Sequence, residues 1–387
     1  MRAQQIHVVT GPCDRIDRAG IDRWCSEWAG DLGLGLVCVF ADDEAELVAA
    51  IRAAADGGIG LVLNPGEHEA AAQRAAQEIA CPVVWLDLDE AEKPRPAYLD
   101  DPLAIAVRGR GVFGYRWAMQ WLQQRASYPF SVIRYGSERD QFADLRVPRS
   151  GDGPFPVAVL LHGGFWRERW ERDTIEPLAI DLAGRGFATW NLEYRRGLPY
   201  GGGWPATCED VAAGIDKLAE LATEHRLDLN RVVFIGHSAG GHLALWAVKR
   251  TGVAATPLIE PFLVVSLAGI ADMAEAARRG MGDTGNGTAE FMGGSPDALP
   301  DAYAAASPIR SLPLGVPQLI VQGRLDNLPD LVDLSRVYAR AAREAGDPVE
   351  FVELDDADHF HLITPASHAW PPVLERIQRA VAPRTAG

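Results

Sequence analysis

One stretch decides the fold of the second half of the chain: Arg231-Val232-Val233-Phe234-Ile235-Gly236-His237-Ser238-Ala239-Gly240-Gly241-His242-Leu243-Ala244-Leu245-Trp246. It joins an apolar, strand-like run to a helix-like run through the sequence G-x-S-x-G. This strand-to-helix turn is so sharp that only small residues fit beside the serine, whose hydroxyl then lies at the N-terminus of the helix. The stretch therefore predicts an exposed nucleophile, Ser238; a serine that only caps a helix is the alternative.

Six apolar runs, each followed by a helical pattern, predict the strands of this half: 157–161, 187–192, 231–235, 262–267, 318–322 and 350–354. Alternation of this kind indicates a doubly wound α/β sheet with helices on both faces. Residues 271–313 are rich in Gly, Ala, Asp and Pro and lie between two of the strands. Segments of this length without strand pattern are usually either functional lids or disordered, and we expect a lid insertion.

The first half of the chain shows the same alternation of strand-like and helix-like segments, with fewer of them. Five apolar runs predict parallel strands: 6–10, 36–40, 60–63, 83–86 and 104–107. Four segments with apolar residues at helical spacing predict helices that cover them: 16–29, 43–55, 67–79 and 112–123. The pattern predicts a flavodoxin-like domain over residues 1–126. The alternation stops near residues 126–132, which we take as the boundary, and a second domain is predicted over residues 132–387.

The composition is that of a soluble globular protein. Of the 387 residues, 48% are hydrophobic and 23% are charged, a balance that excludes collagen-like, disordered and membrane-embedded chains. The net charge is −16, and both halves are acidic, with 12 basic and 19 acidic residues up to Arg125 and 25 and 34 after it. Nucleic acid and anionic membranes are therefore poor partners, and a small neutral or cationic substrate is expected.

Cysteine content and the N-terminal sequence predict a cytoplasmic protein. The five cysteines, an odd number without C-x-x-C spacing, favour neither a disulfide framework nor a zinc site: Cys13, Cys25, Cys38, Cys81 and Cys208. The N-terminus has no signal-peptide pattern, and no apolar run reaches the roughly 18 to 20 residues of a membrane helix.

A glycine-rich segment follows the first strand of the second half: His162-Gly163-Gly164-Phe165-Trp166. Its glycines allow the backbone to approach a substrate oxygen, and backbone amides in such a loop stabilise an oxyanion. We expect these amides to come from Gly163, Gly164 and Phe165, together with the amide of Ala239 after the nucleophile. A tight turn without this role is the alternative.

An acid and a base follow later strands in the order that a serine, acid and histidine triad requires. Asp326 comes after the strand at 318–322, with Asp330 as a nearby competitor, and His359 and His361 come after the last strand. We expect an extended segment here, in which alternate residues point the same way, so spacing alone does not choose between the two histidines. A metal site built from these histidines and neighbouring aspartates lacks a third imidazole at useful spacing, so we expect no metal and no cofactor.

Five aromatic residues cluster in sequence near the glycine-rich segments: Trp166, Trp170, Tyr194, Tyr200 and Trp204. They predict either an aromatic substrate pocket or ordinary core packing. Trp166, Tyr194 and Trp204 are the candidates for substrate binding.

From about residue 132 to 379 the chain resembles an α/β-hydrolase of the esterase/lipase type, in the kynurenine formamidase-like group. Four motifs carry the resemblance: His162-Gly163-Gly164-Phe165-Trp166, Glu193-Tyr194-Arg195-Arg196, Gly236-His237-Ser238-Ala239-Gly240 and Asp358-His359-Phe360. The resemblance implies hydrolysis through an acyl-enzyme and favours His359 as the base, with His361 in the pocket wall. Formamidases of this group usually carry tyrosine where this chain has Phe165, which leaves the substrate open.

The first domain resembles a type II 3-dehydroquinate dehydratase. Three motifs carry that resemblance: Thr10-Gly11-Pro12, Leu63-Asn64-Pro65-Gly66 and Gly109-Arg110-Gly111-Val112-Phe113-Gly114-Tyr115. The lid at residues 14–20 has no tyrosine, and Trp85-Leu86-Asp87 stands where the family has E-V-H. Dehydration needs a tyrosine base to remove the proton and a histidine acid to protonate the leaving hydroxyl, and both are missing at these motifs. We therefore expect a non-catalytic domain, and the family's multimeric habit implies one of two roles for it: assembly of a homo-oligomer, or a wall of the hydrolase pocket.

The sequence thus predicts a serine hydrolase that acts on a small ester, amide or formamide with Ser238, His359 and Asp326. Two alternatives stay open. An acyltransferase or cyclase would use the same triad but exclude water, and a scaffold would bind a metabolite without turnover.

Overall fold

The computed structural model describes residues 4–13, 17–56, 58–88, 105–197, 201–254, 256–282 and 285–382. The chain forms two compact units, Met1–Pro129 and Phe130–Gly387. Each is an α/β structure with its own sheet. The shortened lid at residues 14–20 and the start of the predicted strand at 104 fall partly outside the described residues.

In the first unit, the described residues form a five-stranded parallel sheet in the order β2-β1-β3-β4-β5. The strands are β1 (Gln5–Thr10), β2 (Gly35–Phe40), β3 (Gly60–Asn64), β4 (Val83–Asp87) and β5 (Ile105–Arg108). The helices are α1 (Arg18–Asp31), α2 (Glu44–Ala53), α3 (Glu69–Ala76) and α4 (Phe113–Ser127). The predicted parallel sheet is confirmed.

Alternating side chains of these strands bury two separate cores. Ile6 and Val8 of β1 face the cluster that includes Tyr115 of α4, whereas Val9 faces the cluster that includes Leu47 of α2. Because successive side chains point to opposite faces of a strand, helices are needed on both sides. This is why the strands read as continuous apolar runs in the sequence.

In the second unit, the described residues form an eight-stranded sheet in the order β13-β12-β11-β10-β8-β9-β7-β6. The strands are β6 (Ser131–Arg134), β7 (Phe142–Arg146), β8 (Phe155–Leu161), β9 (Ala188–Leu192), β10 (Leu227–His237), β11 (Leu263–Leu267), β12 (Gln318–Gly323) and β13 (Val349–Leu354). The helices around it are α5 (Glu176–Gly184), α6 (Ala206–Asp216), α7 (Leu218–Leu221), α8 (Ala239–Trp246), α9 (Met273–Arg278), α10 (Gly287–Met292), α11 (Pro300–Ala306), α12 (Pro329–Glu344) and α13 (Trp370–Val381).

The prediction of six strands in this unit was wrong by two, because β6 and β7 were missed. Both pair antiparallel, so the sheet is mixed. β7 is fully buried but contains Asp144 and Arg146, which contact Arg172 and Glu176. Charged side chains paired in the interior interrupt the hydrophobic pattern from which a buried strand is recognised.

The segment at 271–313 folds into α9, α10, α11 and a short 3-10 helix at Pro308–Ser311. Its helices bury Met273, Phe291 and Tyr303 in the core of the second unit. In the described ranges, no helix has the length and apolarity to cross a membrane.

Candidate active site

Ser238 lies between β10 and α8 with φ 55° and ψ −119°. A positive φ is unusual for a residue with a side chain and costs on the order of 1–3 kcal/mol, so the surroundings must hold it. The Ser238 amide donates to the carbonyl of Leu267 at the end of β11 (2.8 Å), and its carbonyl accepts from the His242 amide (3.2 Å). The turn has the geometry expected of a nucleophile elbow.

The small residues of this turn are required by close backbone approach. A Cβ on Gly236 would overlap the carbonyl oxygen of Gly240, and one on Gly240 would overlap the carbonyl oxygens of Leu161 and His162. Any other residue at either position would push β10, α8 and β8 apart. The close backbone contacts of this turn therefore explain why both outer positions of the G-x-S-x-G pattern are glycine.

His359 and Asp326 form a buried pair beyond the ends of β13 and β12. His359 Nδ1 lies 2.7 Å from Asp326 Oδ2, and each residue is 7% exposed. The carboxylate also accepts from Gln322 Nε2 (3.0 Å) and from the Leu328 amide (2.9 Å). These donors fix the carboxylate and, through it, the imidazole ring.

The competing acid and the competing histidine lie in other contacts. Asp330, on the first turn of α12, pairs with Arg279 (3.0 Å). His361 begins a 3-10 helix at His361–Ile363, accepts from the Asp358 amide (3.1 Å), and its side chain is 42% exposed. The expectation of an extended segment with both imidazoles on one side was wrong, because the chain turns directly after β13.

His237 ties the elbow to the loop that carries His359. Its Nε2 lies 3.0 Å from the backbone oxygen of His359, and the two rings are 4.5 Å apart. Burial, and to a smaller extent the neighbouring His359, lowers the pKa of His237 well below its usual value. The neutral ring therefore donates through Nε2 to that carbonyl, which holds the His359 loop against the residue before Ser238.

The glycine-rich loop after β8 runs beside the nucleophile. A Cβ added to Gly163 would lie 2.9 Å from Cβ of Ser238, so the backbone comes as near to the serine as a glycine allows. Gly164 (φ 112°), Phe165 (φ 49°) and Trp166 (φ 56°) all have positive φ. The structure thus brings Gly163 and the elbow together, in a loop whose backbone is strained.

The aromatic candidates are mostly packed against other side chains. Trp166 is 2% exposed, stacks on Phe291 (4.3 Å) and meets His242 edge-on (5.2 Å). Tyr194 is fully buried, and Trp204 meets Trp246 edge-on (6.1 Å). Tyr200 lies outside the described residues. These contacts favour a packing role over an open aromatic pocket.

Two residues at the site were not singled out from the sequence as functional. Gln322 is the last polar residue of β12 and orients Asp326. Glu193 contacts His162 Nε2 (3.0 Å) and was noted only as part of a family motif. A polar residue at the carboxyl end of a buried strand is the signal that could have found both.

All five cysteines are free thiols. Over the described part of the chain, no group of three or more His, Cys, Asp or Glu side chains could hold a metal ion.

Comparisons with known proteins relate this site to esterases. The family described as BD-FAE matches residues 143–335. The chain is 30% identical over 290 residues to the acetyl-hydrolase of Streptomyces hygroscopicus, a match that covers 68% of this chain and 90% of that protein. It is 23% identical over 234 residues to the kynurenine formamidase of Danio rerio, a match that covers 60% of this chain and 74% of that protein.

A solved structure supports the fold. A truncated carbohydrate esterase from gut microbiota superposes with a TM-score of 0.57 at 18% identity and covers 67% of this chain and 99% of its own. Likeness at this identity establishes the shared fold, whereas the acetyl-hydrolase match, at higher identity and over most of that protein, establishes the family. The chain belongs to the α/β-hydrolase esterases and is a carboxylic ester hydrolase.

Proposed function

We propose that the second unit, residues 132–387, cleaves a small ester through an acyl-enzyme, with Ser238 as nucleophile, His359 as base and Asp326 as the acid that orients it. The observation that carries the proposal is the buried pair of His359 and Asp326, 2.7 Å apart, on a loop tied to the elbow through His237.

The first half of the reaction follows from the tautomer of His359. With Nδ1–H donated to Asp326, Nε2 is free to accept a proton. It takes the proton of Ser238 as Oγ attacks the ester carbonyl, and returns that proton to the leaving alcohol as the tetrahedral intermediate collapses. Water then repeats the sequence on the acyl-enzyme and releases the acid.

The developing oxyanion needs donors at the elbow and the glycine-rich loop. We assign this role to the amides of Gly164, Phe165 and Ala239, with Gly163 supplying the close backbone approach. The positive φ values of Gly164 and Phe165 support the assignment, since strain of this kind is retained where a fixed backbone direction is needed.

The acyl group is expected to be small. The acetyl-hydrolase and formamidase relatives are named for the transfer of short acyl groups to water. Trp166 and Phe291 fill the space behind the loop rather than leaving it open for a long chain. Trp204 and His361, which are partly exposed, are the remaining candidates to contact the substrate.

The test combines labelling with turnover. A fluorophosphonate probe should label Ser238 in the wild-type protein and not in Ser238→Ala, and a panel of p-nitrophenyl esters together with N-formylkynurenine should rank the acyl group. Asp326→Asn should lower kcat by about 10⁴-fold, whereas the matched Asp330→Asn should leave kcat unchanged. Labelling without turnover in water would instead favour an acyltransferase.

For the first unit, residues 1–126, we propose a non-catalytic dehydratase-like domain that supports homo-oligomer assembly. Its strand order 2-1-3-4-5 is that of flavodoxin-like sheets. The motif residues Thr10 and Tyr115 hydrogen-bond to each other (2.8 Å).

A further inference from the structure

His162, the first residue of the glycine-rich loop, is held on both sides of its ring. The side chain is fully buried directly after β8. Nδ1 lies 2.8 Å from the carbonyl oxygen of Gly163, and Nε2 lies 3.0 Å from Glu193 Oε1. The ring stacks on Tyr194 at 4.3 Å, and the Tyr194 hydroxyl donates to the His162 carbonyl (2.7 Å).

Glu193 is ionised in this setting. Burial alone would raise its pKa, but Arg196 and His162 outweigh that effect and hold the pKa of Glu193 well below its usual value. Its oxygens also accept from the Tyr194 amide (3.1 Å), the Arg172 amide (3.0 Å) and the Arg196 guanidinium. Glu193 therefore only accepts hydrogen bonds.

The nearest oxygen to each nitrogen of His162 thus only accepts, and the Tyr194 hydroxyl, 3.4 Å from Nδ1, gives its hydrogen to the His162 carbonyl. A carbonyl has no hydrogen to give, and neither does an ionised carboxylate. A neutral imidazole would leave one nitrogen lone pair against an oxygen lone pair in a fully buried site, which is costly. Hydrogens on both nitrogens satisfy the two contacts, and the resulting positive charge lies beside the ionised Glu193, which also contacts Arg196.

The contact to Gly163 fixes the direction of the next amide. In a trans peptide the C=O of one residue and the N–H of the next point in opposite directions. With the Gly163 carbonyl turned onto the imidazole ring, the Gly164 N–H points away from His162. Gly163 itself passes close to Ser238.

We propose that Glu193 holds His162 as a charged double donor, and that His162 in turn aims and polarises the Gly163–Gly164 peptide so that Gly164 N–H serves the oxyanion. Both are positioning residues, and their kinetic effect rests on the proposed esterase mechanism. The buried Glu193, Tyr194 and Arg196, together with the neutral His237 beyond the loop, are the groups around the ring.

The first test detects the hydrogens on the imidazole nitrogens directly and does not depend on catalytic activity. In the full chain labelled with ¹⁵N-histidine, at mildly alkaline pH where exposed imidazoles are neutral, one histidine should show hydrogen on both nitrogens. That signal should disappear in Glu193→Gln. It should persist in Glu176→Gln, which removes a different buried carboxylate, the partner of Arg146.

The second test measures the kinetics of ester hydrolysis. Glu193→Gln should lower kcat for a p-nitrophenyl ester on the order of 10²-fold, the cost of one oxyanion donor, with little change in KM. Glu176→Gln should keep the wild-type kcat, and near-ultraviolet circular dichroism should show that both variants are folded. A wild-type spectrum without a doubly protonated histidine, or wild-type kcat in Glu193→Gln, would overturn the proposal. Absence of wild-type esterase activity would overturn only the proposed function, because the spectrum still decides the state of His162.

Discussion

The two units share an architecture but differ in backbone strain. Among the described residues, every non-glycine residue with positive φ lies in the second unit, and four of them border the proposed active site: Phe165, Trp166, Ser238 and Ala268. In the first unit, the described positions with positive φ are glycines, such as Gly66 and Gly109. The comparison teaches that a sheet of largely parallel strands supplies the platform in both, whereas strained loops at its carboxyl edge distinguish the second unit, for which we propose the catalytic role.

Polar groups at the strand ends differ in the same way. In the first unit, Thr10 and Tyr115 hydrogen-bond to each other, and burial raises the pKa of Tyr115 to about 12. A phenol in that state stays protonated near neutral pH. In the second unit, His359 uses one nitrogen for Asp326, which leaves the other available for chemistry.

The largest effect is expected from the nucleophile. Ser238→Ala should lower kcat by roughly 10⁶-fold, as in serine proteases that lose their nucleophile, while the fold is retained. Ester hydrolysis and circular dichroism measure the two effects. A folded variant that kept more than a tenth of wild-type turnover would rule out the serine mechanism.

The two histidines should differ sharply. His359→Ala should lose nearly as much activity as Ser238→Ala, and the double variant should lose little more, because the two residues act as a unit. His361→Ala should change KM more than kcat, since its ring is exposed and bonded to its own loop. Steady-state kinetics of all four proteins decide this; an inactive His361→Ala beside an active His359→Ala would reverse the assignment.

A smaller effect is expected on stability. Burial lowers the pKa of His242 to about 4, and the ring donates to the carbonyl of Ala306 (2.8 Å). Because the unfolded chain takes up the proton first, stability is lost as pH falls from about 6.5 to 4, by about 3 kcal/mol from this residue. His242→Gln should show a shallower loss in denaturant unfolding over this pH range; parallel curves would contradict the assignment.

No activity at all is expected from the first unit. Conversion of 3-dehydroquinate to its conjugated enone should be undetectable by absorbance, because no tyrosine base or histidine acid is present for it. Removal of this unit should change the number of subunits in the particle, which light scattering measures as mass. An unchanged number of subunits would remove the assembly role. Measurable dehydration would make the two units alike and remove the contrast between them.

The sequence predicted the repeating strands and helices well because apolar periodicity reports burial directly. It placed Ser238 in a sharp turn and Asp326 at a strand end. It failed where interior charges mask the pattern, as at Asp144 and Arg146 in β7, and where a turn replaces an extended segment, as at His361. The role inferred for Glu193 depends on contacts between distant segments, which spacing in one sequence does not contain.

The insertion at 271–313 has a consequence for engineering. Phe291 of α10 stacks on Trp166, and Glu290 pairs with Arg167 (2.6 Å), so this helix braces the loop beside Ser238. Libraries randomised across α10 should therefore yield many inactive proteins unless these two contacts are kept. Transplanting the insertion from a relative requires transplanting its partners on the loop as well.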